Sequence, residues 1–200
     1  MGGVNLRTSV HLVHYANDFM RAHENVKIVF QDFPMEEKMR ALLAEELQLC
    51  ATAEPVAIFQ KEMLYTPMMQ DNYCFIVNRN HPLAAKDFIT LDDLEGYSMV
   101  CDRRNYRKED SAVTFAKYAD RIRFTEKEID DFTIVNSAMQ GDVVIRYRIW
   151  ADHIDNPLLK ILHSDIPAGT IGFMRKKDAH PMVENFISNY VEYYRKLQES

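Results

Sequence analysis

Apolar residues recur along the chain with two alternating periods. After a short possible strand at Val4 to Arg7, Leu12, Ala16, Phe19 and Met20 fall on one face of a helix predicted over Ser9 to His23, with Ser9 as its N-cap. Val26, Ile28 and Phe30 alternate as a half-buried strand does. Behind Pro34, the residues Met35, Met39, Leu42, Leu43 and Leu47 return at helical spacing, and Leu47 to Thr52 reads as the next strand. Such alternation predicts a parallel sheet with helices on its faces, because each right-handed crossover has to cover apolar sheet surface.

Strands are predicted again at Met63 to Thr66 and Asn72 to Val77, separated by Pro67 and polar residues. The turn-rich stretch Asn78 to Ala84 leads to a short helical turn within Ile89 to Gly96. A second alternation follows: strand Ser98 to Cys101, helix Ser111 to Ala119, strand Ile122 to Thr125, helix Asp131 to Gln140 and strand Val143 to Arg146. Phe132 to Val135 could equally be a strand on β-branched content. Helix is preferred because Phe132, Val135 and Met139 share a helical face and Gly141 suits the position just past a helix end. Leu158 to Leu162 and Ile171 to Arg175 read as strands, and Met182 to Leu197 as a long amphipathic helix.

Composition narrows the function classes. A chain of 200 residues has room for one large domain or two small lobes, and 47% hydrophobic content with 27% charged residues marks a folded globular protein. The formal charge of -6 argues against a nucleic-acid-binding surface here, since neutralising phosphates needs clustered Lys and Arg in excess. The longest apolar runs fall far short of a membrane span, and no export signal is read at the N-terminus, where Met1-Gly2-Gly3 resembles a cloning remnant. A cytoplasmic location without membrane contact is therefore expected. Cys50, Cys74 and Cys101 cannot all pair within one chain and read as buried reduced thiols.

The sequence carries few groups arranged for catalysis. His11 and His14 lie three apart without a third ligand at metal spacing. Asp92-Asp93 and Asp130-Asp131 favour helix starts and lack any feature of an acid–base pair. No GxSxG or Walker loop occurs, and only four glycines follow Gly3, so no cofactor is expected. Trp150 and the methionines read as core packing.

At His81-Pro82-Leu83-Ala84, followed by Ile89-Thr90-Leu91-Asp92-Asp93-Leu94-Glu95-Gly96-Tyr97, the chain resembles the loop and short helix that open the second lobe of LysR-type transcriptional regulators. The helix ending in Phe19, the strand Val26 to Phe30 and Glu45-Glu46-Leu47-Gln48-Leu49 fall where that family's effector-binding domain has its early elements. The chain departs from the family pattern at Glu46 and Gln48, and at Val143 and Tyr147. The resemblance implies an α/β architecture of two Rossmann-like lobes joined by two crossover strands, like the type 2 periplasmic binding proteins. Lobe I would take residues 1–71 and 163–200, and lobe II residues 72–162. It further implies a small effector in the interlobe cleft, a homodimer or tetramer, no enzymatic activity, and DNA contact only through an N-terminal winged helix-turn-helix not found in these 200 residues. A solute-binding protein of a transport system is the alternative that shares this architecture.

In open α/β sheets ligands sit beyond the carboxyl ends of the strands, which selects the loops at Thr8-Ser9, Phe33-Pro34, Thr52, Arg103, Asp130 and Arg146. The resemblance adds that Thr8 and Ser9 match the hydroxyl-bearing helix start that contacts effector in family members. Ser9 could instead serve only as a cap. Arg103 and Arg146 offer guanidinium forks suited to a carboxylate, which makes an anionic organic acid the preferred ligand class. The run Arg103, Arg104, Arg107 and Lys108 could equally be a solvated face, whereas Arg146 lies directly at a strand end. Phe33 offers an apolar wall or a packing plug.

Overall fold

The computed structural model describes residues 2–5, 10–31, 35–53, 62–102, 115, 120–151 and 154–199. The chain divides into two compact units, one of Met1–Gln70 with Gly169–Ser200 and the other of Asp71–Ala168. Its strands are β1 (Gly2–Asn5), β2 (Ile28–Gln31), β3 (Leu47–Ala53), β4 (Met63–Asn78), β5 (Ser98–Asp102), β6 (Arg123–Lys127), β7 (Val143–Tyr147), β8 (Leu159–Leu162) and β9 (Pro167–Lys176). The helices are α1 (Val10–Ala22), α2 (Met35–Leu43), α3 (Asp131–Met139), α4 (Arg148–Ala151) and α5 (Pro181–Gln198), with short 3-10 turns at Pro82–Ala85 and Asp92–Leu94. The helix expected over Ser111 to Ala119 lies outside the described residues except for Phe115, which is buried.

In the first unit β1 lies between β2 and β3, parallel to both, and β9 runs antiparallel to β3 with β4 beyond it. Helices cover both faces. On one, Leu12, Ala16 and Phe19 of α1 and Phe186, Ile187, Tyr190 and Tyr194 of α5 close over Leu49 and Phe173. On the other, Ala41 and Leu42 of α2 pack with Cys50, Met63 and Met174. Removing such side chains from water stabilises by about 1.5–3 kcal/mol each, which holds helices of this length to the sheet.

The second unit carries a sheet ordered β8-β4-β7-β5-β6, with β5 parallel to β6 and β7, and β4 antiparallel to β7 and β8. Ile134 and Ala138 of α3 pack on Cys74, Ile76, Val100 and Val144.

Two expectations are corrected here. The strands predicted on either side of Pro67 are one continuous strand, β4. In the first unit β4 has β9 on one side and its ladders with β7 and β8 begin only at Tyr73, so among the described residues Pro67 lies where β4 is an edge strand, the place in a sheet that accepts proline. The helix over α3 forms, with Gly141 just past its end at φ +88°, but the face turned to the core is Ile134, Ser137 and Ala138. Phe132 and Met139 are 78% and 54% exposed. Ser137 and Ala138 are small enough to let the helix backbone lie close to the sheet, and that choice turns the bulkier residues outward.

Candidate functional site

Val100 of β5 stands opposite Val144 of β7, and both are fully buried beneath α3. Side chains alternate along a strand, so Asp102 and Arg146, each two residues further on, emerge on the same face at the carboxyl ends of adjacent parallel strands. There the Arg146 Nη1 donates to Asp102 Oδ2 at 3.1 Å, with 5% and 4% of the two side chains exposed. A charge this deep is tolerated only when paired, because desolvating either ion alone costs several kcal/mol.

Beside the pair is a cavity of about 20 Å³ lined by Tyr73, Cys101, Asp102, Ile145, Arg146, Tyr147 and Trp150. That is room for about one water molecule. Trp150 meets Tyr147 edge-on at 4.6 Å, and Tyr147 packs against Tyr73 at 5.5 Å. The start of α4, the helix that carries Trp150, is held by Asp71, whose buried carboxylate accepts from the Ile149 N–H at 3.1 Å and lies 3.7 Å from Arg148 Nε. The Cys101 Sγ donates to the Thr125 carbonyl at 3.6 Å, and burial pushes its thiol up to about 12. A thiol held protonated in this way is no nucleophile.

The other predicted residues are placed as follows. Thr52 is buried in β3 opposite Gly172, and its carbonyl accepts from Tyr65 Oη at 3.5 Å. Asp130 caps α3, accepting from the Thr133 N–H at 2.7 Å. Thr8, Ser9, Phe33, Pro34 and Arg103 lie outside the described residues. Sequence reasoning did not single out Asp102 as the partner of Arg146, nor Asp71. The signal was present for Asp102: an acidic residue closing the strand Ser98 to Asp102, next to one that carries Arg146 one residue before its end. Trp150, read as core, is instead half-buried at the cavity wall.

The cysteines are free and buried, and burial raises the Cys50 thiol to about 11. No helix among the described residues is long and apolar enough to cross a membrane.

Comparison with known proteins supports the fold over its whole length. The effector binding domain of QuiR in complex with shikimate is similar at TM-score 0.75 and 19% identity, covering 97% of this chain and 95% of that one. The BenM effector binding domain with its effector benzoate is similar at TM-score 0.77 and 11% identity, covering 100% and 94%. Full-length CbnR complexed with its target DNA is similar at TM-score 0.74 and 13% identity, covering 96% of this chain and 69% of that one. At these identities the likeness is one of fold, the α/β fold of the type 2 periplasmic-binding-protein kind. No curated protein sequence matches the chain. The LysR substrate binding domain family matches residues 3–193, and the chain belongs to that family.

Proposed function

We propose that this chain is the ligand-sensing regulatory domain of a LysR-type transcription factor. It binds a small anionic metabolite, and occupancy alters how a helix-turn-helix domain outside these 200 residues meets DNA. The observation that carries the reading is Arg146, a buried guanidinium delivered by an apolar strand to the carboxyl ends of the parallel strands β5 and β7. A guanidinium presents five N–H donors in a planar fork, a geometry that matches a carboxylate. Shikimate, in complex with the QuiR domain, and benzoate, the effector of BenM, are both carboxylates, which agrees with this chemistry. The cavity beside Arg146 admits a carboxylate oxygen but not a whole metabolite, so the body of the effector lies outside it.

Binding of this kind shifts an equilibrium only by the difference in affinity between two states, about 1–3 kcal/mol in regulatory proteins. Self-association supplies the second state to be biased, and the exposed Phe132 and Met139 of α3 support a homodimer. Thr8, Ser9, Phe33, Pro34, Thr52 and Arg103 are proposed as further effector contacts. The test is a thermal-shift screen of organic acids followed by calorimetry. A carboxylate effector that raises the melting temperature should lose its affinity in the Asp102→Leu/Arg146→Met variant. Unchanged affinity in that variant removes Arg146 from the site.

A further inference from the structure

The unit of Met1–Gln70 and Gly169–Ser200 contains a much larger cavity, of about 560 Å³. That volume is within the range of small-molecule sites, about 300–1,000 Å³. Its walls are apolar: Phe19 in the last turn of α1, Val26 just before β2, Ile28 at its start, Leu49 of β3, and Met182 and Phe186 of α5. A bulge shapes its floor. Gly3 pairs with Leu47 and Val4 with Leu49, so Gln48 is the extra residue of β3 and joins the cavity lining. Bulges re-aim side chains in this way next to binding sites.

The polar residues of the lining are Asn25, Lys27, Gln48 and His180, and none of the lining residues is acidic although the chain as a whole carries a formal charge of -6. Of the carboxylates on neighbouring segments, Glu46 is engaged with Arg40 at 2.9 Å, Glu45 with Lys176 at 2.7 Å, Asp178 with Lys176 at 3.6 Å and Glu184 with Arg175, while Glu24 is exposed to solvent one residue before Asn25. His180 Nδ1 accepts from the Met182 N–H at 3.2 Å, which places the ring proton on Nε2 as a donor. Lys27 and His180 are both exposed at their backbone positions flanking the apolar walls. The cavity thus combines a hydrocarbon lining with two donors that favour a negative head group.

We propose that this cavity is a second ligand site, for an amphipathic carboxylate: its hydrocarbon body lies against Phe19, Ile28, Leu49 and Phe186, and its head group meets Lys27 and His180. The site is built wholly from one unit and does not depend on the role given to Arg146.

Decanoate is the probe, titrated into the 200-residue chain carrying methyl-labelled methionine and followed by NMR at Met182. A saturable shift with a Kd at or below about 1 mM is expected. Lys27→Glu, a surface change, should weaken binding about tenfold or more, and decylammonium, with the same chain and the opposite charge, should bind at least about tenfold more weakly than decanoate. Val183→Phe, which fills the cavity from α5, should abolish the shift while the backbone spectrum stays folded. Decanoate binding should persist in Asp102→Leu/Arg146→Met, which separates this site from the one at Arg146. No saturable shift, equal binding of decylammonium, or unchanged affinity in Lys27→Glu overturns the proposal. So does a Met182 shift that follows protein concentration without probe, the sign of a second copy in the cavity, or loss of decanoate binding in the double variant.

Discussion

Arg146 and Asp102 meet at 3.1 Å across the ends of two adjacent parallel strands, with about a twentieth of each side chain in contact with solvent. Truncating one partner of such a pair strands the other as an unpaired buried charge. Arg146→Ala or Asp102→Ala alone should therefore lower the unfolding free energy by about 3–5 kcal/mol, whereas Asp102→Leu/Arg146→Met should fold with stability near that of the parent. Urea denaturation of the three variants measures this. A double variant as unstable as either single one would mean that the pair contributes to the fold more than the charges cost. The same comparison explains why loss of ligand binding in Arg146→Ala alone is not diagnostic.

His81 couples the loop after β4 to the end of α3 and should make stability fall between neutral and mildly acidic pH. Its Nδ1 accepts from the Leu83 N–H at 3.2 Å, and its other nitrogen donates to the Gly141 backbone. Burial holds its pKa below the ordinary 6.5, an effect the Gly141 hydrogen bond opposes but does not cancel. The sign follows from linkage: below pH 6.5 the unfolded chain takes up a proton that the folded one resists, so stability is complete above 6.5 and is lost as pH falls towards the lower folded value. Asp87 and Asp93, whose carboxyls are held low by hydrogen bonds from Lys160 and Lys86, lose their contributions only further down, below the ordinary carboxylate range. The slope of the urea midpoint between about pH 7 and pH 5 should flatten in His81→Gln. An unaltered slope would assign it to other groups.

Gly172 admits no side chain. A Cβ there would run into the Thr66 carbonyl oxygen and approach the Tyr65 Cζ to 2.8 Å, where β4 passes beside β9. The first obstacle is backbone and has no rotamer to escape by. Gly172→Ala should cost about 1–3 kcal/mol, and Tyr65→Ala should not rescue it, because it leaves the Thr66 contact in place. Chemical denaturation of the single and double variants checks both statements.

Much of this architecture is legible in the sequence because burial is periodic. Leu12, Ala16 and Phe19 declare the inward face of α1, and Phe186, Ile187, Tyr190 and Tyr194 that of α5, since a helix core face repeats every three to four residues and all these side chains are buried. β4 was less legible. Proline reads as a break unless one knows that the strand has a neighbour on one side only at Pro67, which is a fact of topology and not of local sequence. The facing of α3 failed for a related reason: Phe132, Val135 and Met139 form the more hydrophobic stripe, but Ile134 and Ala138 win because they fit under a close-lying sheet. At the candidate site the rule that ligands lie beyond strand ends points to Arg146 as a candidate. It could not locate Asp102 as its partner, because cross-strand pairing depends on register, fixed here by Val100 standing opposite Val144.

The same misfit on α3 yields the last prediction. Phe132 is 78% exposed and Met139 54%, and Val135 between them packs only in part against its own unit, so one helix shows solvent an apolar stripe at i, i+3 and i+7. Replacing residues so exposed should change unfolding free energy by no more than about 0.5 kcal/mol. If the stripe is the surface through which two copies pair, Phe132→Asp/Met139→Asp should convert a dimer to a monomer in sedimentation velocity at unchanged stability, since a dimer core excludes unpaired charge. Retention of the dimer would place its interface on another surface. Loss of stability together with loss of the dimer would show that α3 depends on its partner to stay folded, and stability measured over a range of protein concentrations distinguishes the two.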